Sequence, residues 1–196
     1  MQIIRHVSYN STTFDNDIAL LRLNTPLTFN TNVQGIRYAT ANDATNGLIN
    51  PGILGLISGW GWTNNLGLRP DNLQSALLPI ISNQQAVDRG SDVTNNMIAL
   101  EQSGIGAAPG DSGGPMVVNG NVLAGVSSWG HFPKDQNPTI YTRVSNYCDW
   151  ISDRIAAIED GGDVACSTNT PFNLRHHPFG STVTWAASPA SYFVTG

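Results

Sequence analysis

Charged side chains are scarce in this sequence of 196 residues. They make up 12% of it, about half the share of an average protein. Lys and Arg together number 9 against 14 Asp and Glu, so the formal net charge is -5. Because the few basic residues are scattered singly, neither a nucleic acid nor an anionic membrane surface is expected as the main partner.

Long apolar runs and cysteine-rich patterns are also missing. No apolar stretch approaches the roughly 18 residues of a membrane span, and residues 1–10 lack the apolar core of a signal peptide. The two cysteines, Cys148 and Cys166, form neither a CxxC motif nor a disulfide framework, although they could pair with each other. The sequence therefore gives no reason to expect a membrane protein or a scaffold held together by disulfides.

The residues that are present favour a turn-rich, all-β protein. Hydrophobic residues make up 40% of the chain, which is enough to bury a core and excludes wholesale disorder. Gly occurs 20 times and Asn as often. Both residue types favour turns and left-handed backbone, and both are poor in helix interiors. The length suits one domain, or one domain with a fragment of another.

Five apolar stretches are typical of strands separated by turns. The Asn119-Gly120 pair lies inside one of them, and this dipeptide favours the tight two-residue turn of a hairpin. Apolar patterning therefore predicts strands or hairpins at 18–23, 53–63, 73–82, 116–129 and 139–144.

One helix is predicted after the last of these strands. Apolar residues recur at helical spacing from Trp150 to Ile158, either Ser145 or Asn146 could cap the helix, and two glycines end it. Beyond this point the composition shifts to Ser, Thr, Ala and Pro, with one alternating stretch over 181–186. We expect residues 161–196 to be a linker followed by the start of a truncated β domain.

The strongest chemical signal is the segment Gly110-Asp111-Ser112-Gly113-Gly114-Pro115. Glycines around a serine leave its hydroxyl exposed and let backbone N–H groups point at a reacting oxygen. The N–H groups of Gly110 and Ser112 would then form an oxyanion hole, which contributes about 100- to 1,000-fold in rate in known enzymes. The alternative is a glycine-rich surface turn, which a bare G-x-S-x-G pattern indicates more often than a catalytic serine.

A glycine-flanked serine also occurs in the nucleophile elbow of α/β-hydrolases, including lipases and esterases. That motif needs a helix directly after the serine. Here a proline and the β-type run at 116–118 follow Ser112 instead. The sequence therefore disfavours the elbow, and a protein dominated by helix would be needed to revive it.

The serine segment resembles the signature of chymotrypsin-like serine proteases, and four further segments resemble that trypsin-like family in the same order. These segments are 3–23, Ser58-Gly59-Trp60-Gly61, Ser128-Trp129-Gly130 and 138–151. The resemblance implies an all-β fold, a chymotrypsin-like double Greek-key β-barrel with an incomplete first barrel and a C-terminal α-helix. It places the protease domain at residues 1–160, with its N-terminal part missing, and leaves 161–196 outside it.

The resemblance also implies the chemistry. Ser112 corresponds to the nucleophile, Asp17 to the acid that orients the catalytic histidine, and Ser128 to the residue that hydrogen-bonds Asp17. The implied activity is a serine endopeptidase that cleaves protein or peptide substrates through a Ser-His-Asp triad and an acyl-enzyme. No cofactor or metal is implied. We expect an extracellular monomer, of bacterial type because several of the family's disulfides are missing.

The catalytic base has no counterpart in the sequence. In the family the histidine lies upstream of the aspartate, and the one histidine before Asp17 is His6, in a segment that matches the family elsewhere. His131, His176 and His177 do not fill the role either. We therefore expect a weak or inactive chain. The alternative is a non-catalytic homologue that binds proteins through the former substrate groove.

Activation of the family gives a second reason to expect low activity. A newly cut N-terminus normally ion-pairs with the aspartate before the nucleophile, which corresponds here to Asp111. Because Met1 falls within the first barrel, we expect that partner to be absent and the carboxylate to be left unpaired. An unpaired buried carboxylate is costly, by several kcal/mol in typical cases.

The residues that correspond to the specificity pocket predict an uncharged substrate side chain. Gly106 stands where trypsin-like members carry the aspartate that pairs with Lys or Arg. Gly130 leaves the entrance open, Thr139 narrows the base, and Ser128 and Trp129 belong to the strand that binds the substrate backbone. We expect small or medium uncharged side chains at the cleavage site.

Overall fold

The computed structural model describes residues 1–64, 66–131 and 137–156 together with a strand at 183–186. Strands dominate it. They are β1 (Gln2–Arg5), β2 (Ala19–Arg22), β3 (Arg37–Tyr38), β4 (Leu54–Gly59), β5 (Gln74–Ile81), β6 (Met97–Leu100), β7 (Pro115–Val118), β8 (Val122–Gly130), β9 (Thr139–Arg143) and β10 (Val183–Ala186). The helices are α1 (Ala41–Thr45), α2 (Asn83–Asp88), a 3-10 turn (Val144–Tyr147) and α3 (Cys148–Ala156).

Six strands close into a barrel. They follow the order β8-β7-β4-β5-β6-β9, and β9 pairs back with β8, while β3 adds to β8 in parallel. Closure leaves no free edge within the six strands, which protects them from edge-to-edge pairing. The closed barrel and the helix that follows it confirm the expected chymotrypsin-like, all-β fold class.

The barrel core forms because apolar residues alternate along its strands. On β4 and β5 the buried positions recur at every second residue, and the intervening side chains face outward. The inward side chains form one cluster of fully buried residues. Its large members include Leu78, Ile80, Ile98, Leu100, Met116, Val118 and Val122.

The predicted hairpin over 116–129 is confirmed as β7 and β8. Asn119 and Gly120 at its turn have φ values of 50° and 74°. Two successive left-handed residues match the right-handed twist of the flanking strands, and Asn and Gly tolerate this backbone best. Val118 pairs with Val122, so three residues separate the paired strands rather than the two that the dipeptide predicts, and the register shifts once more between Met116 and Val117.

A separate three-stranded sheet has the order β1-β2-β10; β1 and β2 precede the six barrel strands in sequence, and β10 follows them. Leu20 and Leu21 of β2 are buried. Within the alternating stretch predicted at 181–186, the described residues 183–186 form β10, which pairs antiparallel with β2 and places Val183 opposite Arg22. The predicted domain division at residue 160 stays a prediction, because the residues around it lie outside the described ranges.

The C-terminal helix begins later than predicted. The backbone first makes a 3-10 turn, and the α-helix starts only at Cys148, which is buried and disulfide-bonded. Neither Ser145 nor Asn146 caps it: the Ser145 hydroxyl is buried without a partner, and the Asn146 side chain donates to the Asn95 carbonyl. The turn is held by packing rather than by a cap. Among the described residues, no helix is long and apolar enough to cross a membrane.

Candidate active site

The serine segment forms a tight loop between the barrel strands. Gly110 and Gly113 have φ values of 105° and 83°, which a residue with a side chain adopts only with strain. The Gly113 N–H donates to the Ser127 carbonyl at 2.8 Å, and the Ser127 N–H donates to the Gly114 carbonyl at 2.8 Å. These two bonds tie the loop to β8 and leave Ser112 partly exposed.

Two backbone donors in this loop are unused. The Asp111 N–H donates to the Ala108 carbonyl at 2.9 Å. By contrast, the N–H groups of Gly110 and Ser112 have no acceptor in the described part of the chain, nor does the Ser112 hydroxyl have a partner there. An oxygen atom bound beside Ser112 would find free donors, as an oxyanion hole requires.

The strand after the serine excludes the nucleophile elbow. Pro115 begins β7, three residues beyond Ser112, and the chain continues as a strand into the hairpin. An elbow needs a helix at that point. The structure therefore confirms the sequence-based rejection of an α/β-hydrolase site.

Asp17 lies just before β2 and is held by the barrel. Only 2% of the surface of the Asp17 residue is exposed. The Ser128 hydroxyl on β8 donates to its carboxylate Oδ2 at 2.7 Å, as the resemblance predicted, and the Thr142 hydroxyl on β9 donates to its backbone carbonyl at 2.6 Å. The contact with Thr142 was not predicted from the sequence. The one sequence signal for it was a threonine within the predicted strand at 139–144.

The loop between β1 and β2, residues 6–18, contains Asp17 and is called the aspartate loop here. An aromatic contact connects it to the predicted substrate-binding strand. The Phe14 ring stacks on Trp129 with centroids 6.2 Å apart, and the His131 ring meets Trp129 edge-on at 5.5 Å. Phe14 has a φ of 57°, which is unusual for a residue with a large side chain. The contact with Trp129 helps to hold this strained backbone in place.

The two histidines in the described ranges have other contacts. His6 is half-buried and packs against Tyr147 and Trp150 at centroid distances of 5.4 and 5.1 Å, and its Nδ1 accepts the Ser8 N–H at 3.2 Å. Burial, and next the Arg154 charge, lower the pKa of His6 below its usual value. His176 and His177 lie outside the described residues.

Backbone N–H groups bind the carboxylate of Asp111, which was expected from the sequence to have no partner. It accepts the Gly61 N–H at 2.7 Å and the Ala108 N–H at 2.9 Å. Two backbone donors satisfy a half-buried carboxylate without a cation. A Cβ atom at Gly59 or Gly61 would come within 3.0 Å of this carboxylate, closer than real Cβ atoms approach other groups. That close approach explains the glycines of the Ser58–Gly61 segment.

A cavity of about 290 Å³ opens beside Asp111. It lies between β4, β5 and the loop at 104–106, and Gly106, Asp111 and Tyr141 are among its lining residues. The other predicted pocket residues do not line this cavity: they are Ser128, Trp129, Gly130 and Thr139. Thr139 is buried in β9, and Gly130 is the exposed end of β8.

The fold and the site together define a domain of the chymotrypsin-like serine protease class: a closed antiparallel barrel, a glycine-flanked serine and a buried aspartate held by a serine. Comparison with known proteins agrees. The sequence matches the family model for trypsin over residues 1–151. This chain therefore belongs to the trypsin family.

Several animal trypsins are similar to it. It is 40% identical to the anionic trypsin of Bos taurus over 161 residues, which cover 80% of this chain and 62% of that protein. It is 41% identical to the trypsin of Xenopus laevis over 161 residues, covering 80% of this chain and 63% of that protein. The putative trypsin-6 of Homo sapiens is 41% identical over 163 residues, with 80% and 62% covered. The chain thus spans a little less than two thirds of the length of these relatives.

Proposed function

We propose that this chain is a serine endopeptidase domain that cleaves peptide bonds in proteins or peptides. The observation that carries the proposal is the loop around Ser112, where a partly exposed hydroxyl lies beside the unused N–H groups of Gly110 and Ser112. Asp17, buried and hydrogen-bonded by Ser128, supplies the carboxylate that such a site requires.

The proposed reaction proceeds through an acyl-enzyme. The Ser112 oxygen attacks the carbonyl carbon of the scissile bond while an imidazole takes its proton, and Asp17 fixes the tautomer of that imidazole. The N–H groups of Gly110 and Ser112 stabilise the tetrahedral oxyanion. The proton then passes to the leaving amine, and water hydrolyses the ester on Ser112.

We further propose that these 196 residues are weakly active or inactive on their own. Among the described residues, no histidine hydrogen-bonds to Ser112, and a serine hydroxyl is a poor nucleophile without a base. The test is hydrolysis of peptide esters by the purified chain, with the Ser112→Ala variant as the matched control. Rapid hydrolysis whose rate depends on a single ionisation near neutral pH, and which Ser112→Ala abolishes, would refute the proposed inactivity. The same result would support the proposal that Ser112 is the nucleophile. Hydrolysis that persists in Ser112→Ala would refute the nucleophile.

For specificity, we propose small or medium uncharged side chains at the cleavage site. Gly106 offers no carboxylate to a Lys or Arg side chain, and by the family resemblance Gly130 and Thr139 correspond to the entrance and the base of the pocket, although they do not line the cavity beside Gly106. The Gly106→Asp variant tests this when imidazole is supplied as the base: it should raise acylation by Lys esters relative to Ala esters by about 10-fold or more, since a buried charge gains a partner. An unchanged ratio would show that Gly106 does not face the bound side chain.

A second candidate is a non-catalytic protein-binding module, favoured by the lack of a described base at Ser112. It predicts binding of proteins without turnover, in a manner that Ser112→Ala leaves intact. We also propose an extracellular location and a monomeric state. The relatives named above are animal proteins, so they give no support to the expected bacterial origin.

A further inference from the structure

We propose that Asp15 is a positioning residue for Asp17, and that its carboxylate fixes the aspartate loop (residues 6–18) to the closed six-stranded barrel. The proposal rests on the catalytic role proposed for Asp17. It concerns a side chain that none of the sequence motifs singled out and that the reaction described above does not use.

The carboxylate of Asp15 receives donors from the segment before β6. The Thr94 hydroxyl donates to its Oδ1 at 2.7 Å, and the Asn96 side-chain amide lies 3.2 Å from Oδ1 and 3.3 Å from Oδ2. These partners are 79 and 81 residues away in sequence. Asp15 therefore joins two segments that are otherwise far apart along the chain.

The segment that receives Asp15 is itself fixed to the barrel. The Arg143 N–H donates to the Asn96 carbonyl at 2.8 Å, and the Asn146 side chain donates to the Asn96 side-chain oxygen at 3.1 Å. Arg143 directly follows Thr142, whose hydroxyl holds the Asp17 carbonyl. The end of β9 thus holds the Asp17 carbonyl through Thr142 and holds Asn96, one of the anchors of Asp15, through Arg143.

The backbone around Asp15 needs such an anchor. Phe14 and Asn16 flank it, and both have a φ of 57°. Left-handed backbone at two non-glycine residues persists only where the surroundings hold it. The Asn16 side chain contributes, since it accepts the Tyr147 hydroxyl at 3.2 Å and donates to the Ser8 carbonyl at 3.1 Å. Without the Asp15 contacts, the residues leading into Asp17 are free to relax.

The acceptor oxygens of Asp15 matter more than its charge. No ion pair of Asp15 occurs in the described part of the chain, and its barrel donors are a hydroxyl and an amide. Asp15→Asn keeps the oxygen that accepts from Thr94 and Asn96, whereas Asp15→Ala removes both oxygens. The second oxygen, which accepts from the Asn16 amide at 3.2 Å and from the Asn96 amide at 3.3 Å, becomes an NH2 group in Asp15→Asn. The conservative variant should therefore lie closer to the native protein than Asp15→Ala does.

The first measurement is amide hydrogen exchange on the full 196-residue chain. The N–H groups of Asn10, which donates to the Asp15 carbonyl at 3.0 Å, and of Ile18 report on the loop, and the β6 amides report on the barrel. Asp15→Ala should speed exchange at Asn10 and Ile18 by about 10-fold and leave β6 unchanged. Asp15→Asn should stay closer to the native rates. Asp153→Ala, on the exposed face of α3, is the matched control.

The second measurement reports on positioning: the rate at which a fluorophosphonate labels Ser112 when imidazole is supplied as the base. Asp15→Ala should slow labelling by about 10- to 100-fold, because a misplaced catalytic group costs that much. Asp15→Asn should restore part of the rate. Thr94→Val should reproduce the loss and Thr94→Ser the native behaviour, and this pair decides the matter if Asp15→Ala fails to fold.

The proposal is overturned if Asp15→Ala or Thr94→Val leaves loop exchange unchanged, or if Asp15→Asn is as impaired as Asp15→Ala. It is also overturned if the loop loosens while Ser112 labelling keeps its native rate. If Ser112 of the native chain is not labelled at all, the proposed function is refuted, and the positioning role of Asp15 is refuted with it. The exchange rates then show separately whether the Asp15 contacts hold the loop.

Discussion

The contact between Asp111 and Gly61 gives the sharpest prediction about the serine loop. In Gly61→Ala, the new Cβ would fall within 3.0 Å of both carboxylate oxygens of Asp111. The nearest atoms belong to a side chain held in place by two hydrogen bonds, at 2.7 Å from Gly61 and 2.9 Å from Ala108. The carboxylate must therefore rotate away, and both backbone donors lose their partner.

The magnitude follows from those two bonds. Hydrogen bonds to a charged group are worth about 1.5–3 kcal/mol each. Because Asp111 is only half-buried, water recovers part of this, and we expect Gly61→Ala to lower the free energy of unfolding by about 2–4 kcal/mol. Asp111→Ala should cost about the same, since it removes the same acceptor.

The double variant separates this reasoning from a general loss of stability. Gly61→Ala and Asp111→Ala break the same bonds, so together they should cost about as much as either alone. Urea unfolding followed by tryptophan fluorescence measures all three variants. Gly130→Ala is the matched control, because its Cβ would meet only ordinary contacts and it should change stability by less than about 0.5 kcal/mol. Costs that add in the double variant, or a neutral Gly61→Ala, would refute the account.

Three further predictions concern the rest of the molecule. The pKa of His6 is lowered from its ordinary 6.5, so the unfolded chain binds the proton more readily than the folded chain. The free energy of unfolding, measured by urea titration, should therefore fall as the pH drops through about 6.5, and His6→Gln should remove that part of the decline. An identical decline in His6→Gln would contradict the prediction. Tyr147→Phe removes the hydroxyl that donates to Asn16 and should lower the unfolding free energy by about 0.5–1.5 kcal/mol in thermal unfolding, with no change if that bond is not formed in solution. Ile140→Ala empties a fully buried barrel position and should cost about 2–5 kcal/mol, whereas a cost below 1 kcal/mol would mean that this position is not in a packed core.

Much of the barrel could be predicted because its signals are local. The Asn119-Gly120 turn predicts the position of the hairpin, and the alternation of apolar residues predicts which side chains of β4 and β5 face the core. The strand β6 was missed because a run of four buried residues without alternation has no distinctive period. The short helices α1 and α2 were missed as well.

The two missed helices had a visible signal. Ser82 and Gln85 form a capping box at α2, and Thr40 and Asp43 form one at α1. A serine or threonine followed three residues later by Gln, Glu or Asp can be found in a sequence. Helices of five and six residues are too short to show an apolar period next to the capping pattern. The capping pattern alone would therefore have been ambiguous.

The site was predictable where a motif carries the chemistry and unpredictable where distant segments meet. The glycines around Ser112 predict its partly exposed position in a tight loop, and the family resemblance predicts the bond between Ser128 and Asp17. The role of Ser112 as the nucleophile stays a prediction. The partners of Asp111 could not be foreseen, because Gly61 is 50 residues away and acts through its backbone N–H. The anchoring of Asp15 has the same origin: Thr94 and Asn96 carry no motif.

The central proposal is that Ser112 is the nucleophile of a trypsin-family site and that this site has no base among the described residues. The most direct test treats the full chain with a fluorophosphonate at increasing imidazole concentrations and locates the adduct by peptide mass spectrometry. The account predicts a single adduct on Ser112, formed slowly without imidazole and faster as imidazole is added, and none in Ser112→Ala. Adducts spread over other hydroxyl groups, or the same labelling in Ser112→Ala, would contradict it.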